Sequence, residues 1–422
     1  MVQSASTSVT VSRANPVRLR LGSVKPSRVY ALAFLLVLGL AICSAPFGQA
    51  QTFTTLHNFK GSPDGAIPFG GVVRDKARSF YGTTEAGGKK SCSLVQTGCG
   101  TVFKLDTSGT ETVLYNFSQS GAAGFWPLAG VVADRAGNLY GTTYYGGNFA
   151  CPGNSAGCGT VFKRSPGGKL TVLHTFAGGT TDGCNPWGGL TRDQAGNLYG
   201  TTFGCGASNT GTIFQIDTKG NFTLLHSFVW YIEGQLPQYT SLLLDKLGNL
   251  YGVAAWGGSA NQGTLYMLSP SGALTVLHNF AGGATDGCHP VGTPAMDRAG
   301  NFYGVTDSCG SSNDGIIWKV SNTGVETVLW NFTGGADGAV PFGGVLVDAK
   351  SNLYGDTSGG NTNVGSAYRL SASGKLKVLH TFASPNGYYP IGGLLRDNAG
   401  NLYGTTAYGG SGLGGTVFKL KP

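Results

Sequence analysis

One ten-residue phrase recurs along the chain and limits its possible folds more than any other feature. "DRAGNLYGTT" begins at residue 134, and near-copies begin at residues 193, 245, 297 and 397. The Tyr-Gly pair of the phrase occurs at seven regular places, at intervals of 59, 59, 52, 52, 51 and 49 residues. The tyrosines are Tyr81, Tyr140, Tyr199, Tyr251, Tyr303, Tyr354 and Tyr403. A period of about 50 residues indicates a repeat architecture rather than a set of unrelated domains.

Each copy contains four short segments that have the pattern of β-strands. In the third copy these segments are 186–193, 197–202, 211–216 and 223–228. Each alternates apolar and polar residues or is a short apolar run, with turn residues at both ends. Four strands in about 50 residues, repeated seven times, predict an all-β, seven-bladed β-propeller with four-stranded blades.

The two ends of the repeat region each hold part of one blade. Residues 54–59 match a fourth strand that no first three strands precede, and residues 415–420 match a third strand that no fourth strand follows. We therefore expect the N-terminal strand, residues ~53–59, to join the C-terminal strands and close the last blade, because closure removes two exposed sheet edges. The propeller is predicted to span residues 51–422 as a single domain.

Composition is consistent with a turn-rich β protein and excludes a nucleic-acid partner. Glycine accounts for 72 of 422 residues and charged residues for 11%, against typical values of about 7% and about 25%. Five of the 28 basic residues and no acidic residue lie within residues 1–50, so the rest of the chain carries 23 basic and 20 acidic residues. Such a balance provides no basic stripe for a nucleic acid.

The first 50 residues have the pattern of a signal peptide. Basic residues precede the apolar run 29–42, small residues follow it, and we expect cleavage after Ala50. An apolar run of this length is short for a membrane span, which needs ~20 residues, so no transmembrane span is expected in the mature chain. Lipidation at Cys43 and an uncleaved anchor are the alternatives. The expected product is a secreted, periplasmic or cell-surface monomer.

The repeats "GVVADRAGNLYGTTYYGG" (130–147) and "GCGTVFK" (157–163) resemble the GloVer tandem repeats of exported bacterial proteins. The resemblance covers roughly residues 52–422. It implies export and a propeller-like fold, and it implies no established activity. We expect no anchoring segment at the C-terminus, in contrast to the varied anchors of that group.

The eight cysteines beyond Cys43 recur at equal offsets from the repeat tyrosines. An even count, equal offsets in separate copies and export favour disulfides. The predicted pairs are Cys92–Cys99, Cys151–Cys158, Cys184–Cys205 and Cys288–Cys309. A zinc site is the alternative, but the pairs lack the C-x₂₋₄-C spacing typical of such sites.

Three repeated sets of potential metal ligands have a structural interpretation. Five histidines share one register of the fourth strand with Tyr115 and Trp330, which predicts a ring packed between blades. These histidines are His57, His174, His226, His278 and His380.

The seven aspartates that open the phrase are explained by a hairpin turn, with a cation at the pore mouth as the alternative. They are Asp75, Asp134, Asp193, Asp245, Asp297, Asp348 and Asp397. Residues such as Asp64, Asp182, Glu233 and Asp286 are explained by turns at the entry to each blade, with calcium as the alternative. The sequence therefore predicts no metal and no cofactor.

Long, variable loops are expected on one face of the ring, where strands two and three connect and where blades connect. Aromatic residues in these loops favour a binding module that recognises a carbohydrate or another component of the cell envelope. The candidate ligand-binding residues are Trp126, Tyr145, Trp230, Trp256, Tyr388 and Tyr408.

Two other functions remain open. The first is a polysaccharide-cleaving hydrolase or lyase that uses non-repeating acids expected on the same face. These acids are Glu85, Asp307, Asp314 and Asp356. None lies in a recognisable catalytic motif, so no catalytic residue is predicted. The second is a structural protein of the envelope that docks a protein partner.

Overall fold

The computed structural model describes residues 51–89, 92, 98–239, 241–360 and 364–422. The predicted signal peptide, with Cys43, lies outside the described residues. Within these ranges there is no helix with the length and hydropathy that crossing a membrane requires.

The described chain forms seven four-stranded antiparallel sheets, which are the blades of a β-propeller, and two additional two-stranded sheets in the loops of blades 1 and 3. Strands β1 (Thr52–Asn58) and β2 (Gly65–Ala66) come first. Blade 1 holds β3 (Val73–Arg74), β4 (Phe80–Thr84), β5 (Ala86–Gly87), β6 (Thr101–Leu105) and β7 (Glu111–Asn116). Blade 2 holds β8 (Val132–Ala133), β9 (Leu139–Thr143), β10 (Thr160–Arg164) and β11 (Leu170–Thr175). Blade 3 holds β12 (Gly183–Cys184), β13 (Thr191–Arg192), β14 (Leu198–Thr202), β15 (Gly204–Cys205), β16 (Thr212–Ile216) and β17 (Phe222–Ser227).

The remaining blades follow the same order. Blade 4 holds β18 (Leu243–Leu244), β19 (Leu250–Ala254), β20 (Thr264–Leu268) and β21 (Leu274–Asn279). Blade 5 holds β22 (Gly287–Met296), β23 (Phe302–Cys309), β24 (Ile316–Val320) and β25 (Glu326–Asn331). Blade 6 holds β26 (Leu346–Val347), β27 (Leu353–Thr357), β28 (Ser366–Leu370) and β29 (Leu376–Thr381). A short 3₁₀ helix (Ser384–Asn386) precedes blade 7, which holds β30 (Leu395–Arg396), β31 (Leu402–Thr406) and β32 (Thr416–Lys421).

The ring closes as the sequence predicts, because β1 supplies the fourth strand of blade 7. Strand β1 pairs antiparallel with β32 in the sheet order β1-β32-β31-β30. Phe53 lies opposite Leu420 in this ladder. Just beyond β1, Phe59 is fully buried and packs edge-on against Phe103 of blade 1, with ring centroids 5.1 Å apart. The N-terminal segment therefore completes blade 7 and contributes to the core between blades 7 and 1.

The outer two strands of every blade have a β-bulge at the same place. In blade 2 the pairing shifts between Val161 and Phe162, which leaves Leu173 of β11 without an opposite residue. The six other blades shift at the equivalent step. The unpaired residue is a leucine in every blade, and Leu173 packs against the core between blades 2 and 3. The bulge thus belongs to the repeat and is not a local irregularity.

The recurring phrase forms the tight turn between the first and second strands. In blade 2, Asp134 Oδ1 accepts hydrogen bonds from the backbone N–H groups of Ala136 and Asn138, both at 2.9 Å. Its Oδ2 accepts from Asn138 Nδ2 at 2.7 Å and from the Tyr140 hydroxyl at 3.0 Å. Both carboxylate oxygens are therefore occupied, which supports the interpretation of the phrase as a turn.

The inner strands approach one another at glycines around the axis of the ring. A Cβ atom on Gly130 would lie 2.5 Å from the Gly71 carbonyl oxygen, and one on Gly392 would lie 2.6 Å from the Gly71 nitrogen. Any larger residue would push neighbouring blades apart at these positions. Inside this ring lies an axial cavity of about 250 Å³, and residues of all seven blades line it.

Candidate binding face

The loops between blades and the loops between strands two and three lie on one face, as predicted. In each blade the two loops form a short ribbon, which we call the collar segment. It is β2 with β5 in blade 1, β12 with β15 in blade 3, and the outer ends of β22 and β23 in blade 5. In the other blades it is a single bridge: Phe125–Tyr145, Gln235–Trp256, Ala339–Gly359 and Tyr388–Tyr408.

Four disulfides brace this face. Cys184–Cys205 and Cys288–Cys309 each join the two loops of one collar segment, and Cys92–Cys99 and Cys151–Cys158 each close one loop between strands two and three. The pairing is the one expected from the equal offsets in the sequence. Disulfides of this kind are typical of oxidising compartments outside the cytosol.

Seven residues at the centre of the collar have the same unusual backbone conformation. Each precedes the proline of a blade-entry loop and has φ between 54° and 59°. They are Ile67, Trp126, Asn185, Leu236, His289, Val340 and Tyr389. Hydrogen bonds explain the conformation, since the Trp126 N–H donates to the Cys99 carbonyl of blade 1 and its own carbonyl accepts from Tyr144 of blade 2. The backbone conformation at this position is the same in every blade, and the side chain differs from blade to blade. Variable side chains on a rigid scaffold are typical of recognition surfaces.

An aromatic cluster lies at the centre of the face. Tyr239 has its ring centroid 4.6 Å from Trp187, 4.7 Å from Phe342 and 5.8 Å from Phe69. These residues come from blades 3, 6 and 1, and Trp187 and Tyr239 also line the axial cavity. The sequence analysis missed this cluster. Its signal was a one-residue insertion in blade 4, where the aspartate of the phrase lies eight positions after Pro237 instead of the seven positions found in the other blades.

Two carboxylates flank Tyr239. Burial, together with the charges of Asp307 and Glu85, raises the pKa of Tyr239 to about 12. Burial also raises the pKa of Glu85 itself to about 7. Asp307 Oδ1 accepts a hydrogen bond from Ser308 Oγ at 2.7 Å and lies 3.5 Å from His289 Nδ1. The centre of the face thus carries two acids in different environments.

Three polar atoms on this face are shielded from solvent and have no hydrogen-bond partner among the described residues. They are the indole Nε1 atoms of Trp126 and Trp187 and the Nε2 atom of His289. Buried polar groups in proteins are nearly always hydrogen-bonded, so these three atoms are exceptions within the described residues.

The structure brings four of the six predicted aromatic residues into two pairs. Trp126 and Tyr145 lie 5.1 Å apart in blade 2, and Tyr388 and Tyr408 stack 5.8 Å apart in blade 7. Trp256 packs on His289 at 3.9 Å. Trp230 is 48% exposed and packs beside Tyr231 at the tip of the loop between blades 3 and 4.

Tyr408 lies near one of the central acids. Burial raises the pKa of Tyr408, and the charge of Glu85 contributes to the rise.

One of the expected acids is elsewhere: Asp356 is only 1% exposed and lies within β27, opposite Ala367. The expectation that Asp356 lies on the loop face is therefore wrong, because the second residue after the repeat tyrosine is still within a strand.

The repeated histidines do pack between blades, but three of them also have an acidic partner that the sequence analysis missed. His57 Nε2 lies 3.1 Å from Asp64 Oδ2, His174 Nε2 lies 3.2 Å from Asp182, and His226 Nε2 lies 2.7 Å from Glu233. Where blade 1 has Tyr115 instead, the acid is replaced by Ala123. The signal was the nearly constant spacing, seven or eight positions, between each histidine and its acid.

Solved propellers with the same overall architecture include three lyase structures. The chain is similar to a streptogramin B lyase, with a TM-score of 0.56, 13% identity, and coverage of 88% of this chain and 97% of the lyase. It is similar to a virginiamycin B lyase from Staphylococcus aureus, with a TM-score of 0.56, 12% identity and coverage of 88% and 99%. A catalytically inactive form of that lyase with quinupristin gives a TM-score of 0.57 at 13% identity, with coverage of 88% and 99%. At such low identity the likeness shows the fold alone.

Sequence comparison gives the family. No curated protein matches the chain. The model of the Gloeobacter/Verrucomicrobia repeat matches residues 46–243 and 237–422, which together span the whole propeller. The protein is therefore a member of the Gloeobacter/Verrucomicrobia repeat family.

Proposed function

We propose that the protein is an exported binding module that recognises carbohydrate on the collar face. The observation that carries the proposal is the ring of variable residues at the seven pre-proline positions, which surrounds a central aromatic cluster. Rigid aromatic side chains provide flat apolar surfaces with little loss of conformational entropy.

The export part of the proposal is supported by the disulfides and by the sequence of residues 1–50. Four disulfides within one chain are common in secreted proteins and rare in the cytosol. A basic stretch followed by a short apolar run is typical of a signal peptide. The ligand would then be a polysaccharide or another glycan of the cell envelope or its surroundings.

A second candidate function is cleavage of a polysaccharide at the same place. It is favoured by one observation: Glu85, with a pKa of about 7, and Asp307, hydrogen-bonded to Ser308, are both close enough to Tyr239 for their charges to raise its pKa. A glycosidase needs two carboxyl groups in unlike environments, one to donate a proton and one to act as base or nucleophile.

Binding to a glycan array by the purified chain tests the proposal. Tyr408 is 39% exposed, and we expect Tyr408→Ala to weaken binding about 10-fold or more, because one stacking ring contributes about 1–3 kcal/mol. Leu247→Ala is the matched control, since Leu247 is 81% exposed in the turn on the opposite face. Absence of binding, or equal effects of the two changes, would refute glycan recognition on the collar face. New reducing or unsaturated ends in the bound glycan would favour the second function.

A further inference from the structure

Three potential metal ligands meet where blade 4 joins blade 5. His278 is on β21, the outer strand of blade 4, and Asp286 is in the loop that enters blade 5. Glu326 begins β25, the outer strand of blade 5. One ligand atom from each side chain lies within 4.8 Å of the other two.

Two of these ligand atoms have unmet bonding capacity. His278 Nε2 and Glu326 Oε1 are both shielded from solvent, and neither has a hydrogen-bond partner within the described part of the chain. An unpaired nitrogen lone pair and an unpaired carboxylate oxygen are costly to bury without a cation or donor between them.

The third ligand is already held in position. Asp286 is 9% exposed, and its two oxygens accept hydrogen bonds from the backbone N–H groups of Ala281 and Gly287, at 2.7 Å and 2.6 Å. Such supporting bonds orient a carboxylate before a metal binds, as outer-shell contacts do in metalloproteins.

The other blade junctions provide an internal comparison. His174 stacks on Phe222 and His380 stacks on Phe53, both at 3.8 Å, so the position of Glu326 is filled there by an aromatic ring. At three junctions the histidine lies 2.7–3.2 Å from its acid, within hydrogen-bonding distance. His278 Nε2 lies 3.8 Å from Asp286 Oδ2, which is beyond that distance. Two ligands of a tetrahedral zinc ion with bonds of about 2.0–2.2 Å lie roughly 3.4 Å apart. The distance between His278 Nε2 and Asp286 Oδ2 is therefore closer to that between two ligands of one ion than to a hydrogen bond.

We propose that His278, Asp286 and Glu326 bind one zinc ion or a similar first-row divalent cation, which clamps blade 4 to blade 5. One imidazole nitrogen and two carboxylate oxygens are a ligand set that such ions accept, with water in the fourth position. The sequence analysis took His278 as a packed ring and Asp286 as a turn residue. The third ligand was hidden because Glu326 belongs to the next copy of the repeat.

Zinc binding by the full-length, tag-free chain tests the proposal. After removal of metal with a chelator, titration with Zn²⁺ alone is followed by calorimetry, and Co²⁺ is used as a spectroscopic probe of coordination. We expect one ion per chain and a rise in Tm on binding. Glu326→Leu introduces the residue found at the equivalent positions Leu274 and Leu376, and we expect it to weaken binding at least ~100-fold.

The matched control is Glu111→Leu. Glu111 occupies the same position at the junction of blades 7 and 1, where the neighbouring His57 and Asp64 are hydrogen-bonded at 3.1 Å. The control should therefore bind zinc as the unchanged chain does. The proposal is overturned by lack of stoichiometric binding to the unchanged chain, by Glu326→Leu binding equally well, by equal loss in both variants, or by tighter binding of Ca²⁺ than of Zn²⁺. A thermal melt without metal confirms that each variant is folded.

Discussion

At the scale of single residues, equivalent positions of the repeat often make the same contact in several blades. A blade with a different residue at such a position shows where that contact has been lost. In three blades a threonine two residues after the repeat tyrosine donates a hydrogen bond to the inner strand of the next blade. Thr83 Oγ1 donates to the Ala129 carbonyl at 2.6 Å, and Thr405 Oγ1 donates to the Gly70 carbonyl at 3.1 Å. Asp356 stands at this position in blade 6, and its Oδ1 has no hydrogen-bond partner among the described residues.

Asp356 makes stability depend on pH in a direction that can be stated. Burial raises its pKa to about 7, from an ordinary value near 4. The folded chain therefore holds the proton more tightly than the unfolded chain, so stability is highest at low pH and falls as pH rises from about 4 to about 7. Above that range the buried charge lowers stability by a constant amount.

We expect Asp356→Thr to introduce the threonine found at this position in four of the other blades and to remove this loss. The gain in the free energy of unfolding should be about 2–3 kcal/mol larger at pH 8 than at pH 5. Urea unfolding at the two pH values measures it. Thr405→Val is the control, because it removes the equivalent hydrogen bond without changing a titrating group. A gain of the same size at both pH values would contradict the assignment.

At the scale of elements, the fourth strand and the following entry loop behave as one unit. Asp182 is 9% exposed and accepts hydrogen bonds from the backbone N–H groups of Ala177 and Gly183 as well as from His174. His174 in turn stacks on Phe222 of the next blade at 3.8 Å. The acid therefore connects the loop to the strand, and the ring connects the strand to the next blade.

We expect Asp182→Ala to lower the free energy of unfolding by about 2–3 kcal/mol, because it leaves buried donors without a partner. The double variant Asp182→Ala with His174→Tyr reproduces the natural pair of Tyr115 and Ala123, and it should recover about 1 kcal/mol of that loss. Denaturant unfolding of both variants and of His174→Tyr alone gives the coupling energy. Strict additivity of the two single changes would show that strand and loop are independent.

The elements were predictable from the sequence, and the contacts between copies were largely not. Alternation and turn residues indicated each strand, and equal offsets indicated each cysteine pair, because both signals lie within one copy. The cluster around Tyr239 combines residues of several blades, and the insertion in blade 4 marks an exceptional loop without showing which rings Tyr239 meets. The location of Asp356 was predicted wrongly for a related reason. It stood out in the sequence as an acid that does not recur in the other copies, but its burial depends on its position in β27.

At the scale of the whole molecule, the blade shared by both ends of the chain holds the ring together. Thr52 lies opposite Lys421 in the ladder between β1 and β32. A second link is the contact of Arg74 of blade 1 with Asp397 of blade 7, at 3.2 Å. The stability of the ring therefore depends on both ends of the chain.

We expect a chain that begins at residue 60 to melt at least ~10 °C below one that begins at residue 51, because it lacks β1 and the buried Phe59. A circular permutant tests whether pairing or chain order matters. It joins residue 422 to residue 51 through a short linker and opens at the exposed turn 269–273, and its Tm should stay within about 5 °C of the reference. Equal melting of the truncated chain and the reference would rule out a stabilising role for the shared blade.

The position of β1 also sets an order of events during biosynthesis. Among the described strands of the propeller, the first to be made has its partner in the last to be made, since β1 pairs with β32. Each of the other six sheets is complete once its own stretch of chain has emerged. The seventh must wait until β32 has been made, so a polypeptide interrupted before that point keeps an unpaired edge at which proteases and chaperones can recognise it as unfinished.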